Sequence, residues 1–172
     1  MPDDLTVRPA TTADLPAIAD IYAHYVRTGV ATFEVDPPDA DEWRRRFDKI
    51  RAAGLPFLVA EDGATIAGYA YCGPWNTRPA YRATVEDSIY VAPGATRRGC
   101  GRMLLADLLE ACRASGIREV IAVIADTGDP SSLTLHRRFG FVDAGRLRNV
   151  GYKHDRFIDT VLLQWSAAPA TP

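Results

Sequence analysis

Val91-Ala92-Pro93-Gly94-Ala95-Thr96-Arg97-Arg98-Gly99-Cys100-Gly101-Arg102-Met103-Leu104-Leu105 runs from an apolar strand through a Pro/Gly turn and a basic, glycine-bearing loop into an amphipathic helix. Backbone N–H groups left unpaired at a helix start attract anions, and glycines let a phosphate come close to the main chain. Arg97, Arg98 and Arg102 add positive charge at the same point. The stretch reads as a diphosphate cradle, with Arg97, Arg98, Gly99, Cys100, Gly101 and Arg102 offering main-chain N–H groups. On residue types alone, a tight surface turn with a solvated basic face competes with that reading.

Periodicity on either side supplies the frame. Leu5 to Arg8 reads as a first strand, and a helix follows from Thr12, with Asp14 in its first turn and Leu15, Ile18, Tyr22 and Val26 at helical spacing. Asp39 and Glu42 give an acidic start to a second helix, which puts Trp43, Phe47 and Ile50 on one stripe and ends at Gly54. Phe57 to Glu61 and Thr65 to Cys72 are strands joined through Asp62-Gly63, a hairpin signal. Gly73 to Pro79 is a loop whose aromatic and cationic content suits a substrate wall, and Arg82 to Val91 is a long strand.

Past the cradle, a helix from Gly101 to Ala114 buries Leu104, Leu105, Leu108, Leu109 and Cys112, and Gly116 stops it. Glu119 to Ala125 is a continuous apolar run, as expected of a strand covered on both faces. A fourth helix covers Ser131 to Arg138, Gly140 begins a further strand, and Phe157 to Trp165 forms the last. A single helix crosses between Arg82–Val91 and Glu119–Ala125, so these strands are expected to be parallel neighbours. The order predicts an α/β fold with helices sandwiching one mixed sheet.

The 172 residues suit a single domain, assigned to residues 1–166, with a short disordered tail from Ala167 to Pro172. A hydrophobic share of 47% and a charged share of 24% are those of a globular chain, and no apolar run approaches a membrane span. With an acidic N-terminus unlike a leader peptide, a cytoplasmic location is the expectation. A net charge of −2 argues against general nucleic-acid binding. Cys72, Cys100 and Cys112 lack metal-ligand spacing, so no metal is expected; Cys72 and Cys112 read as core. Cys100 at a basic helix start is either a reactive thiol or a neutral filler.

The nucleotide is a separate question. Leu104 stands where a dinucleotide-binding fingerprint needs its third glycine, and no Gly-Lys-Ser/Thr tripeptide occurs. Arg-x-Gly-x-Gly at a strand-to-helix junction instead resembles the pyrophosphate loop of the GCN5-related N-acetyltransferases (GNAT), which bind acetyl-CoA. The resemblance extends through Tyr71-Cys72-Gly73-Pro74-Trp75, Ala80-Tyr81-Arg82, Thr84 to Val91, Asp129-Pro130-Ser131-Ser132-Leu133-Thr134-Leu135-His136, Gly140-Phe141 and Gly151-Tyr152-Lys153-His154. Together these are similar to the phosphinothricin N-acetyltransferase family, with its relatives acting on methionine sulfone and sulfoximine, over residues 5–165.

That resemblance implies a GNAT fold: a mixed, mostly antiparallel central sheet, helices on both faces, and a parallel strand pair splayed around acetyl-CoA. It implies that the chain acetylates the α-amino group of a small amino acid analogue with acetyl-CoA as co-substrate. Another small amine, a peptide N-terminus, or a CoA-binding module without activity are the alternatives. Relatives are often homodimers, and the aromatics near Phe33 and Trp43 serve either such an interface or the core.

Glu86 is the candidate general base. In an extended strand it shares a face with Ser88 and Tyr90, away from Val85, Asp87, Ile89 and Val91. A desolvated carboxylate with a raised pKa can take the proton an ammonium must lose before attack; an exposed strand residue paired with an arginine is the alternative. The resemblance assigns main-chain contacts with the pantetheine arm to Ile89, Tyr90 and Val91, and cofactor contacts to Asp129 and Ser132. His136 would protonate the leaving thiolate or arrange the amine, unless it is structural. Arg78, Tyr81 and Arg82 can grip an acid group, and relatives bind substrate through Asn76, Thr77, Arg78, Glu86, Asp87 and Ser88. Lys153 and His154 lie in a segment on the acceptor side. Thr96 and Asp129 depart from the family pattern, which loses one side-chain phosphate contact and one amide donor.

Overall fold

The computed structural model describes residues 5–167. Its elements are β1 (Leu5–Pro9), α1 (Leu15–Thr28), α2 (Ala40–Ala52), β2 (Phe57–Asp62), β3 (Thr65–Pro74), β4 (Thr84–Val91), α3 (Cys100–Ala114), β5 (Glu119–Ala125), α4 (Ser131–Arg138), β6 (Val142–Lys153) and β7 (Arg156–Ser166). All strands join one seven-stranded sheet in the order β1-β2-β3-β4-β5-β7-β6. Only the β4–β5 pair is parallel; the other pairings are antiparallel.

Local chemistry explains the element ends. Before α1, the Thr11 N–H donates to Asp14 Oδ2 at 2.7 Å, and Arg8 holds the same carboxylate with two bonds of 2.9 Å. The Arg8 bond draws the Asp14 carboxyl below its ordinary value. At α2, Asp39 Oδ1 accepts from the Glu42 N–H at 2.7 Å, satisfying a first-turn donor. Gly63, with φ +59, is the first of two residues joining Asp62 to Thr65, a hairpin turn that favours glycine there.

The sheet carries helices on both faces. On one, α1 and α2 press Ile18, Tyr22, Val26, Trp43 and Phe47 against Val59 and Tyr69. On the other, α3 buries Leu104, Leu105, Leu108 and Cys112 against Ala60, Ala70, Cys72, Val85 and Val120, with α4 alongside through Leu133 and Leu135. Trp43 is 1% exposed and therefore belongs to the core, not to an interface.

Gly68 shows how tight the α3 packing is. A Cβ there would lie 2.9 Å from both the Tyr90 carbonyl oxygen and Cys100 Sγ, and 3.2 Å from Leu104 Cδ1. Because a strand carbonyl cannot turn aside, Gly68→Ala should destabilise the fold by about 1–3 kcal/mol. The reading is a lower denaturation midpoint at unchanged slope in urea.

Several features differ from the sequence pattern. Gly140 does not begin a strand: its φ of +90 closes α4, the left-handed conformation favoured there, and β6 starts at Val142. Pro79–Tyr81 forms a single 3-10 turn, so β4 starts at Thr84 rather than Arg82. A further 3-10 turn, Thr12–Asp14, precedes α1. Finally, β5 is covered fully on one face only: Val120 and Ala122 are buried, whereas Val123 on the other face is 36% exposed. Of the expected tail, Ala167 bonds the Arg118 carbonyl at 2.8 Å; residues 168–172 lie outside the described residues.

Candidate active site

The parallel ladder between β4 and β5 is short. It pairs Thr84 with Glu119, Val85 with Val120 and Glu86 with Ile121, and there it stops. Beyond Glu86 the strands part, β4 staying with β3 as far as Val91 and β5 with β7 as far as Ala125. The fork opens into a cleft of about 950 Å³.

Backbone alternation decides what faces the gap. The Thr84 carbonyl accepts from the Trp75 N–H, and the Ala92 N–H donates to the Ala67 carbonyl, so even-numbered β4 residues bond toward β3. The N–H groups of Ile89 and Val91 point the other way, into the space β5 has left. The Val91 carbonyl on that side takes the Tyr25 hydroxyl. A strand with free donors in the body of a domain is a binding edge, because buried main-chain groups require partners.

At the end of β4 lies the stretch read as a diphosphate cradle. Arg97 has φ +64 and Gly99 φ +84, so two left-handed residues flank Arg98 just before α3. Successive N–H groups in such a turn make an anion-binding concavity, and the α3 N-terminus adds its dipole. For Arg97, which carries a Cβ, that conformation costs about 1 kcal/mol, a strain typical of ligand loops. Arg97, Gly99, Cys100 and Gly101 line the cleft. Arg98 bonds Asp62 at 2.7 Å, and neither it nor the exposed Arg102 is in the lining. Burial pushes the Cys100 thiol up to about 11, so it stays protonated and is a filler rather than a nucleophile.

Opposite β4, Asp129 Oδ1 accepts from the Ser131 N–H at 2.9 Å and so caps the start of α4. Aspartate makes this bond as asparagine would, and the amide donor that asparagine carries is absent. Asp129 and Ser132 line the cleft, as do Ile89, Tyr90 and Val91.

Glu86, Ser88 and Tyr71 line the cleft near the point of divergence. Burial, and secondarily the charge of Asp87, raise the Glu86 carboxyl above its ordinary value. Asp87 faces the opposite layer, as strand alternation requires, and bonds His136: Nε2 lies 2.9 Å from Asp87 Oδ2, and Nδ1 lies 2.7 Å from the Ser132 carbonyl oxygen. Both ring nitrogens are thus engaged, and His136 could protonate a leaving thiolate only by first breaking one of these bonds.

The remaining wall comes from the α1–α2 connection, in which periodicity marked nothing beyond the Phe33 aromatic. Thr32 and Phe33 line the cleft together with Tyr22 and Tyr25 of α1. Thr32 Oγ1 bonds the Tyr22 hydroxyl at 2.6 Å, and Lys153 Nζ donates to the Thr32 carbonyl at 2.9 Å. Phe33 occupies the space beside Gly151, where a Cβ would meet its ring at 2.4 Å. Lys153 is therefore a buried support of the wall, while His154 sits exposed in the β6–β7 turn with φ 50. Asn76, Thr77, Arg78, Tyr81 and Arg82 are exposed on the β3–β4 connection and are not among the lining residues. Asn76 Oδ1 accepts from the Arg78 N–H at 3.0 Å, shaping that loop.

Residues 18–141 match the sequence profile of the acetyltransferase (GNAT) family. The chain belongs to that family. This acetyltransferase is 52% identical to a phosphinothricin N-acetyltransferase of Alcaligenes faecalis, over 92% of its own length and 81% of the relative's. It is 37% identical, over 95% of both chains, to an L-methionine sulfoximine/L-methionine sulfone acetyltransferase of Pseudomonas aeruginosa. The crystal structure of a GNAT superfamily phosphinothricin acetyltransferase from Sinorhizobium meliloti in complex with AcCoA superposes with a TM-score of 0.92 at 42% identity, covering 98% of this chain and 92% of that one. The fold of this acetyltransferase is accordingly the GNAT fold, the forked parallel pair included. No cluster of histidine, cysteine and carboxylate side chains suited to a metal occurs among the described residues.

Proposed function

We propose that the chain transfers the acetyl group of acetyl-CoA to the α-amino group of a small amino acid analogue, with phosphinothricin and methionine sulfoximine or sulfone as the leading acceptors. The observation that carries this reading is the fork: free strand donors at Ile89 and Val91 beside a half-buried Glu86 whose proton affinity is raised. Relatives with those printed activities, at 52% and 37% identity, support the acceptor class.

In this reading Glu86 takes a proton from the acceptor ammonium, directly or through water, and frees the lone pair for attack on the thioester carbon. The Ile89 and Val91 N–H groups hold the thioester arm and meet the charge that develops on its carbonyl oxygen. A C–N bond forms, the C–S bond breaks, and CoA leaves as the thiolate. The turn from Arg97 to Gly101 and the start of α3 hold the pyrophosphate, with Arg98 and Arg102 supplying charge around it. Asp129 and Ser132 flank the arm from α4. The acceptor's acid group is assigned to Arg78, Tyr81 and Arg82 on chemistry alone, since guanidinium groups bind carboxylate and phosphinate in bidentate fashion; Asn76, Thr77 and Ser88 complete that set, whereas the Asp87 carboxylate, an anion engaged by His136, is taken out of it.

We also read the enzyme as a cytoplasmic homodimer. Its three cysteines are free, the usual state in a reducing compartment. Tyr152 and Phe157, paired across β6 and β7 with rings 5.0 Å apart, expose apolar surface together, the kind of patch that marks an interface, and Leu147 and Val150 are also exposed on the edge strand β6. Phe157→Glu should shift the sedimentation coefficient from dimer to monomer; an unchanged native dimer would remove this face from the interface.

The function is tested by calorimetric titration of acetyl-CoA followed by release of CoA thiol with a panel of amino acids. Saturable binding with turnover on phosphinothricin or methionine sulfoximine is expected. Binding without turnover on any small amino acid analogue would overturn the acceptor assignment.

A further inference from the structure

Past the last parallel pair, the two walls of the gap share no strand hydrogen bonds, yet one side chain links them. His136 of α4 reaches Asp87 on β4 through Nε2 at 2.9 Å, while its Nδ1 lies 2.7 Å from the Ser132 carbonyl oxygen one turn earlier in the same helix. Asp87 is the first β4 residue after the ladder ends at Glu86 and Ile121, and Ser132 belongs to the wall opposite. The tie therefore crosses the throat of the fork.

Its chemistry is constrained. A carbonyl oxygen only accepts, so Nδ1 carries a hydrogen. Nε2 faces a carboxylate oxygen, so it carries one as well, and the ring is an imidazolium. Both side chains are buried, at 6% and 2% exposure. A buried ion pair is an expensive way to fill a core, since apolar residues of the same volume usually serve stability as well.

We propose that His136 is a positioning residue: its imidazolium ties β4 to α4 across the fork and sets the gap at the width the thioester arm requires. Losing one proton weakens the tie: the ion pair is discharged, and one ring nitrogen is left with a lone pair facing an acceptor. Burial pulls the His136 pKa down, but the bond to Asp87, its charge and the Ser132 carbonyl outweigh burial, and the net direction is upward. The charged tie is therefore intact below the folded pKa and reduced to a neutral hydrogen bond as pH rises through it.

Other titratable groups nearby do not substitute for Asp87. Glu86 of β4 lies on the opposite face. The Cys72 thiol of β3 is buried against the Cys112 thiol of α3, with 3.5 Å between the sulfurs. On α4 itself Arg137 turns away to Asp143, and Arg138 is exposed. The edge of the Phe141 ring covers the imidazole.

The inference rests on the acetyl-CoA reading and is tested by calorimetric titration of acetyl-CoA across neutral and alkaline pH, with the native chain and His136→Gln. Glutamine places a non-titrating amide donor near the position of Nε2. In the native chain, the dissociation constant should rise as pH passes the His136 pKa and level off at the value set by the weaker neutral tie; in His136→Gln that dependence should vanish. A flat native profile, or the same dependence in both proteins, would overturn the tie while leaving the cofactor reading intact. Failure of the native chain to bind acetyl-CoA at any pH would overturn the cofactor reading and the tie with it. Should His136→Gln not fold, the His136 Cε1–H resonance of the native chain provides the second measurement. By reciprocity its pKa must rise when acetyl-CoA binds, and an unmoved pKa would sink the proposal.

Discussion

Glu86→Gln is expected to lower kcat about 10²–10⁴-fold, the usual worth of a positioned general base, while leaving the acetyl-CoA dissociation constant unchanged. Glutamine keeps the shape of the side chain and removes its ability to take a proton. In the proposed mechanism the main chain of Ile89 and Val91 holds the cofactor arm, and the substitution does not touch it. The native pH profile should agree: because burial and Asp87 raise the Glu86 pKa, activity should fall as pH drops through a value above the ordinary carboxylate range. That acid limb should be absent from the residual activity of Glu86→Gln. Full turnover in the variant would remove Glu86 from the base role.

Trp43→Ala should cost about 3–5 kcal/mol of stability, a large fraction of the roughly 5–15 kcal/mol that holds a typical domain. Trp43 is 1% exposed and meets the edges of two rings, Tyr22 at 5.3 Å and Tyr69 at 6.0 Å. The consequence reaches the site, because Tyr22 anchors Thr32 in the cleft wall at 2.6 Å. Chemical denaturation measures the loss. Activity assayed well below the unfolding temperature should show a raised KM for the amino acid acceptor, with acetyl-CoA affinity little changed. A loss below about 1 kcal/mol would mean that the α1–α2 layer tolerates the vacated volume.

Much of this architecture is legible in the chain because it is local. Apolar spacing in α1, α2 and α3 follows the helical repeat, and a lone crossover helix makes β4 and β5 parallel neighbours. The cradle was readable for the same reason: a strand end, two glycines and a helix start are contiguous in sequence, and their main-chain groups need no distant partner. Strand alternation likewise separated Glu86 from Asp87.

Long-range geometry was not readable. Asp87 and His136 stand 49 residues apart, and their meeting depends on how α4 packs over the fork. The wall built from Thr32 and Phe33 has no periodicity, and its support from Gly151 and Lys153 comes from the far edge of the sheet. The cationic loop around Arg78 and Arg82 looked like a wall from its composition, yet composition carries no direction, and the structure leaves that loop outside the cleft lining.

By itself the sequence determined the helices, most of the strands, the parallel pair, the glycine turn before α3 and the face on which Glu86 lies, since each depends on hydrogen bonds and side-chain periods within a few residues. Only the tertiary structure decided where the parallel ladder ends, which donors that leaves free and which charged partner His136 meets. Those outcomes depend on packing between segments distant in the chain, where many arrangements share the same local pattern and only one fills the core.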